Sequence, residues 1–85
     1  MFHLFARPKP CRIMMLLRGT EGSWHLSKLA KGSDTSYVYV THLVSELEKA
    51  GLVLIESKGK KRIVKLTEKG LGVANIIHEL MNRLQ

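Results

Sequence analysis

The chain has 85 residues and carries 14 Lys+Arg against 7 Asp+Glu, a formal net charge of +7. That length holds one small domain and excludes a deep enzyme cleft combined with a cofactor fold, while the charge points to a polyanionic partner, either nucleic acid or an acidic membrane surface. A single cysteine, Cys11, excludes an internal disulfide or a cysteine zinc cluster; with no apolar run near the ~20 residues of a membrane span and no export signal at the start, a cytoplasmic protein is expected.

Residues 1–9 read as an N-terminal arm, with Phe2, Leu4 and Phe5 ahead of Arg7-Pro-Lys-Pro. Pro8 and Pro10 oppose a regular helix across this piece, and Pro10 suits the first turn of the helix that follows. The arm's apolar side chains need a surface, either their own domain or a second subunit. Pro10 to Arg18 reads as a short helix stopped by Gly19. Ile13, Met14, Met15, Leu16 and Leu17 wrap most of its circumference, so it must be buried on more than one side, and a partner subunit is the simplest second cover.

Gly19 to Ser23 is turn chemistry, Trp24 to Leu26 a very short strand anchored by Trp24, and Ser27 to Lys31 a short helix with Leu29 and Ala30 inward. Ser23, His25 or Ser27 can cap that helix. Gly32-Ser-Asp then breaks the chain, with Ser33 or Asp34 as the cap of a longer helix. Ser36 to Thr41 is β-branched and aromatic and would be a strand by propensity alone. The spacing of Val40, Val44 and Leu47 runs unbroken into Glu48-Lys49 and predicts a helix instead.

On that helix Val40, Leu43, Val44, Leu47 and Ala50 share one face, and Val38, Thr41, His42, Ser45 and Lys49 share the other. The second face is rich in hydroxyls and imidazole, a chemistry suited to base edges and phosphates more than to catalysis. Gly51 offers the left-handed residue that ends the helix. Leu52 to Ser57 and Arg62 to Thr67 then read as strands of a hairpin around Lys58-Gly-Lys-Lys. Between 58 and 65 stand Lys58, Lys60, Lys61, Arg62 and Lys65 with no acid, an electrostatic footprint for phosphate.

Thr67 caps a last helix, Glu68 to Leu84, in which Gly70 and Gly72 each cost about 1 kcal/mol relative to alanine. Its apolar stripe is Val73, Ile76, Ile77, Leu80, Met81 and Leu84. Added to the arm and the helix near Ile13, this is more apolar surface than one compact unit buries. A symmetric homodimer is expected, built on Phe2, Phe5, Met14, Ile76, Ile77, Leu80, Met81 and Leu84.

The fold class is α+β, mostly α, in the order helix, short strand, helix, helix, two-stranded hairpin, helix. With Leu26-Ser-Lys-Leu-Ala, Val40-Thr-His-Leu-Val-Ser-Glu-Leu-Glu-Lys-Ala-Gly-Leu-Val and Leu66-Thr-Glu-Lys-Gly in this order and spacing, the chain resembles the winged helix-turn-helix regulators, especially the MarR-like and ArsR-like groups and their small archaeal relatives. The resemblance covers roughly residues 12 to 72. The chain divides into the arm, a winged-helix unit over 10–67 and a C-terminal helix over 68–85, whose expected role in dimerisation rests on its apolar stripe and not on the resemblance.

The same resemblance implies a recognition helix starting near Thr35 and lying in the major groove of double-stranded DNA. Its contacting residues are Ser36, Tyr37, Tyr39, Thr41 and His42, with His42 where many relatives carry arginine; Ser45 joins them as a member of the same polar face. The resemblance also implies that the loop from Lys58 to Lys61 lies along the backbone or the neighbouring minor groove, with Lys58, Lys60, Lys61 and Arg62 expected on phosphates. Cys11, His3, His25, His42 and His78 contain no paired spacing that holds a metal, and neither a cofactor nor a catalytic constellation is present in the sequence, so a non-enzyme is expected. The rival readings are a winged-helix protein-interaction module of a larger assembly and a nucleoid protein that binds DNA without sequence preference.

Overall fold

The computed structural model describes residues 2–19 and 23–84. A 3-10 helix, Phe2–Ala6, is followed by α1 (Pro8–Gly19), β1 (Trp24–His25), α2 (Leu26–Gly32), α3 (Tyr37–Lys49), β2 (Val53–Lys58), β3 (Lys61–Leu66) and α4 (Glu68–Arg83). The strands form one antiparallel sheet in the order β1-β3-β2, with Trp24 opposite Val64 and His25 opposite Ile63 on one side of β3. Four helices and this small sheet make the expected α+β fold. No helix among the described residues is long and apolar enough to cross a membrane.

The N-terminal segment departs from the sequence reading. It is helical up to α1, which begins at Pro8, because both prolines fall in the first turn, where no intrahelical N–H bond is lost. Leu4 and Phe5 pack against the core of their own chain, and the Cys11 thiol donates to the Phe5 carbonyl at 2.9 Å. The side chain of Phe2 and the turn residues 20–22 lie outside the described residues.

Helix α1 is covered largely by its own chain. Ile13, Met14 and Leu17 are buried and Met15 and Leu16 half-buried, because the 3-10 helix, α2, β3 and α4 all pack on it. Met14, expected in a dimer interface, is fully buried here and has no surface left for a second copy. Trp24 anchors β1 beside α1, its indole N–H donating to the Leu16 carbonyl at 3.1 Å.

Helix α2 begins after His25, whose side chain makes no cap bond, and closes with a Schellman motif. In that motif the Asp34 amide reaches the Lys31 carbonyl, and the Thr35 amide the Ala30 carbonyl at 3.0 Å. Asp34 takes the left-handed position at φ 55. Ser33 is buried, and its hydroxyl donates to the Leu29 carbonyl at 2.7 Å. Neither residue is therefore free to cap the next helix. Ser36 does so, its Oγ accepting the Tyr39 amide at 3.0 Å, and α3 begins two residues later than expected.

Helix α3 buries Val40, Leu43, Val44 and Leu47, and packing of that stripe against α2 and β2 overrides the strand propensity of its first turns. It ends in a second Schellman motif, with Gly51 at φ 79, the Gly51 amide on Glu48 and the Leu52 amide on Leu47, both at 2.9 Å. This fixes the direction in which β2 leaves the helix. The Thr67 side chain accepts the Gly70 amide at the start of α4 and donates to the Gly51 carbonyl at 2.6 Å. Both ends of the hairpin are thereby tied together.

Candidate nucleic-acid interface

Three faces of α3 are distinguished by what lines them. The core face is apolar. Tyr37 turns toward β2–β3 and α2, where His25, Leu26, Ser27, Lys28, Tyr37, Lys60, Lys61 and Arg62 surround a cleft of about 260 Å³. Thr41, Ser45 and Glu48 continue along the same flank beside Ile55, Ser57 and Arg62. On the opposite flank Tyr39, His42 and Glu46 face His3, Leu4 and Arg7 around a cavity of about 300 Å³. Val38, His42, Ser45 and Lys49 are exposed along the outer edge between the two.

The hairpin turn is a two-residue loop, Gly59-Lys60, with Lys58 paired to Lys61 across it. Gly59 has φ 62 at the first central position, as a type II′ turn requires, and II′ twist matches that of the strands. Lys58, Lys60, Lys61 and Arg62 are all exposed, and none forms an ion pair with a described residue. Lys65 differs from them because it sits 3.6 Å from Glu56 across the strand pair. Four cations at and beside the turn, with no ion-pair partner among the described residues, keep their field directed outward.

Not every expected contact residue has a free polar group. The Ser36 hydroxyl is the α3 cap, and the Thr41 hydroxyl donates to the Tyr37 carbonyl at 2.8 Å. Tyr39 is half-buried against the core with Lys9 Nζ 5.3 Å from its ring centroid, which places it on the flank turned to the N-terminal segment. Tyr37, His42 and Ser45 are exposed.

Lys28, Arg7 and Lys9 were missed by sequence reasoning. The one available signal was that each is a cation close in sequence to an apolar anchor that must pack on α3. In the first cleft the Nδ1 of His25 is enclosed with no hydrogen-bond partner among the described residues. No group of three His, Cys, Asp or Glu side chains arranged to hold a metal occurs among the described residues.

Residues 16–78, well over half of the chain, match the DUF6293 C-terminal winged helix domain. The chain belongs to that family. No curated protein sequence matches it. Among solved structures, the winged helix is similar to AF1382 from Archaeoglobus fulgidus, at 23% identity and a TM-score of 0.83 over 91% of this chain and 88% of that one. It is similar to AbsC, a MarR family transcriptional regulator from Streptomyces coelicolor, at 26% identity and a TM-score of 0.75 over 82% of this chain. It spans 50% of the AbsC chain. A third similar structure is Sso10a-2, a DNA-binding protein from Sulfolobus solfataricus, at 24% identity and a TM-score of 0.76 over 89% of this chain and 80% of that one. The winged helix-turn-helix expected from the three sequence blocks is the fold of this chain.

Proposed function

We propose that this winged helix binds double-stranded DNA as a sequence-preferring transcription regulator, with α3 in the major groove and the β2–β3 turn on the backbone. The observation that carries the reading is the cleft in which Lys28, Lys60, Lys61 and Arg62 gather around Tyr37 at the first turn of α3. A helix presented beside cations that form no ion pair with a described residue brings base-contacting side chains and phosphate-contacting ones to the same groove. The regulator and DNA-binding protein with the same fold support it.

In this arrangement Lys58, Lys60, Lys61 and Arg62 supply affinity, joined by Lys28. Sequence preference rests on Tyr37, His42 and Ser45, with the exposed Val38 suited to a thymine methyl group. Ser36 and Thr41 act through the helix they stabilise, and Tyr39 through the flank it shares with Lys9. Pairing of two copies through the exposed edge of α4 gives two half-sites on one duplex.

The test is a salt titration of duplex affinity between about 50 and 200 mM, comparing the wild type with Lys60→Ala/Lys61→Ala. Removing one cation from a phosphate flattens the slope by about 0.9. A drop of about 1.8 is expected for the double variant. Binding indifferent to salt removes the mechanism. Selection from a random duplex pool that returns no preferred sequence removes the regulator reading and leaves the packaging one.

A further inference from the structure

We infer that the N-terminal segment is a second backbone-contacting element, with Arg7 and Lys9 seated on the phosphate strand opposite the one held by the wing. The inference rests on the duplex reading above and adds a surface to it that the wing and α3 do not contain.

The argument begins with geometry around α3. Its wing flank is lined by Lys28, Lys60, Lys61 and Arg62, and its other flank by His3, Arg7 and Lys9 together with Glu46. A helix with its side chains is about 10–12 Å across, and the major groove of B-DNA is about 12 Å wide. A helix that fills the groove therefore turns its two flanks toward the two phosphate walls. Cations on one flank alone hold one wall; this fold places cations on both.

The chemistry of the second flank agrees. No acidic residue occurs between Phe2 and Asp34 outside Glu21, and the segment 2–12 contains Arg7, Lys9, Arg12 and His3. Arg7 and Lys9 are exposed and form no ion pair with a described residue. Glu46 of α3 lines the same cavity as Arg7 and stands 4.0 Å from Lys49, so the flank carries one carboxylate beside its cations. Arg12 is occupied differently, donating to the Ser33 carbonyl at 3.1 Å, and so ties α1 to the turn that precedes α3.

The segment is also held in place. Leu4 and Phe5 pack on the core, Cys11 donates to the Phe5 carbonyl, and Lys9 lies over the Tyr39 ring. A cation anchored beside the helix forms a phosphate contact with less loss of conformational freedom than one on a free tail. That is the role left for Tyr39: it positions Lys9.

The experiment measures salt slopes on one random-sequence duplex for the wild type, Arg7→Gln/Lys9→Gln, Lys60→Ala/Lys61→Ala and the fourfold variant, with Arg7→Lys/Lys9→Arg as the charge-conserving control. Each double variant is expected to flatten the slope by about 1.8, the fourfold variant by about twice that, and the control not at all. Hydroxyl-radical footprinting on a selected site should show two protected backbone stretches facing each other across one major groove, one of which disappears with Arg7→Gln/Lys9→Gln. If the wing variant flattens the slope and the N-terminal one does not, the inference falls and the duplex reading stands. If the wild type fails to bind duplex, both fall. Loss of binding shared by the charge-conserving control shows a structural role instead and also overturns the inference.

Discussion

Gly70 in the first turn of α4 lies directly against the main-chain carbonyl of Leu52, the residue that follows the glycine cap of α3. A Cβ at position 70 would overlap that carbonyl, whose oxygen also accepts the Thr67 amide at 3.0 Å. The helix can approach the end of α3 this closely only because position 70 has no side chain.

Gly70 and Gly72, alike in the sequence, should therefore respond in opposite ways to alanine. Gly70→Ala gains about 1 kcal/mol of helix propensity but forces backbone apart, where overpacking costs about 1–3 kcal/mol and sometimes more. The expected result is a net loss, read as a lower Tm and, since the shift moves the hairpin relative to α3, as weaker duplex binding. Nothing lies within 4 Å of a Cβ at Gly72, which is exposed. Gly72→Ala should stabilise by about 0.5–1 kcal/mol, or roughly 4 °C in a domain of this size. Thermal melts of both variants showing the same direction of change would refute this account.

Cys11 should behave as a structural thiol. Burial raises its pKa above the ordinary thiol value, because the thiolate loses hydration in the folded chain. Less thiolate is present near neutral pH, so alkylation of the native protein should run severalfold slower than that of the urea-unfolded chain at the same pH. The linkage sign follows: with the folded pKa raised, stability is unaffected well below the thiol range and falls as pH rises through it. Equal alkylation rates in the folded and unfolded chains would mean that Cys11 is open to solvent chemistry.

Patterns within a single element were legible in the sequence, and assignments that depend on neighbours were not. The inward stripe of α3, its glycine cap, the hairpin and the Thr67 cap all follow from local periodicity and turn chemistry. The start of α3 lies later than its residue types indicate because Ser33 has a second use for its hydroxyl, on Leu29, and because an aspartate takes the left-handed position usually given to glycine. Neither fact is visible in the residue types. Covering of α1 by its own chain depends on the 3-10 helix folding back, a tertiary event. Lys28, Arg7 and Lys9 join the candidate interface only once α2 and the N-terminal segment are docked on either side of α3.

The apolar stripe of α4 is the feature whose meaning packing changes most. In the folded chain it divides along the helix axis: Ala74 and Ile77 are buried and Val73 half-buried, while Ile76, Leu80 and Leu84 are 68%, 55% and 77% exposed. These three recur every four residues and so form one ridge, with Met81 beside it. A ridge of this kind on each of two copies satisfies a two-fold interface, in which each residue meets its equivalent or a close neighbour. Burying each large aliphatic side chain yields about 1.5–3 kcal/mol, so a charge at the middle of the ridge should be decisive. Leu80→Glu is expected to convert a dimer at micromolar concentration to a monomer by sedimentation equilibrium. Its exposure in the single chain leaves intramolecular packing intact, and far-UV circular dichroism should be unchanged. Ile77→Glu provides the contrast, since it strikes the buried edge and should unfold the domain. A wild-type monomer under these conditions would assign the ridge to a different partner and remove the paired half-sites from the DNA-binding scheme.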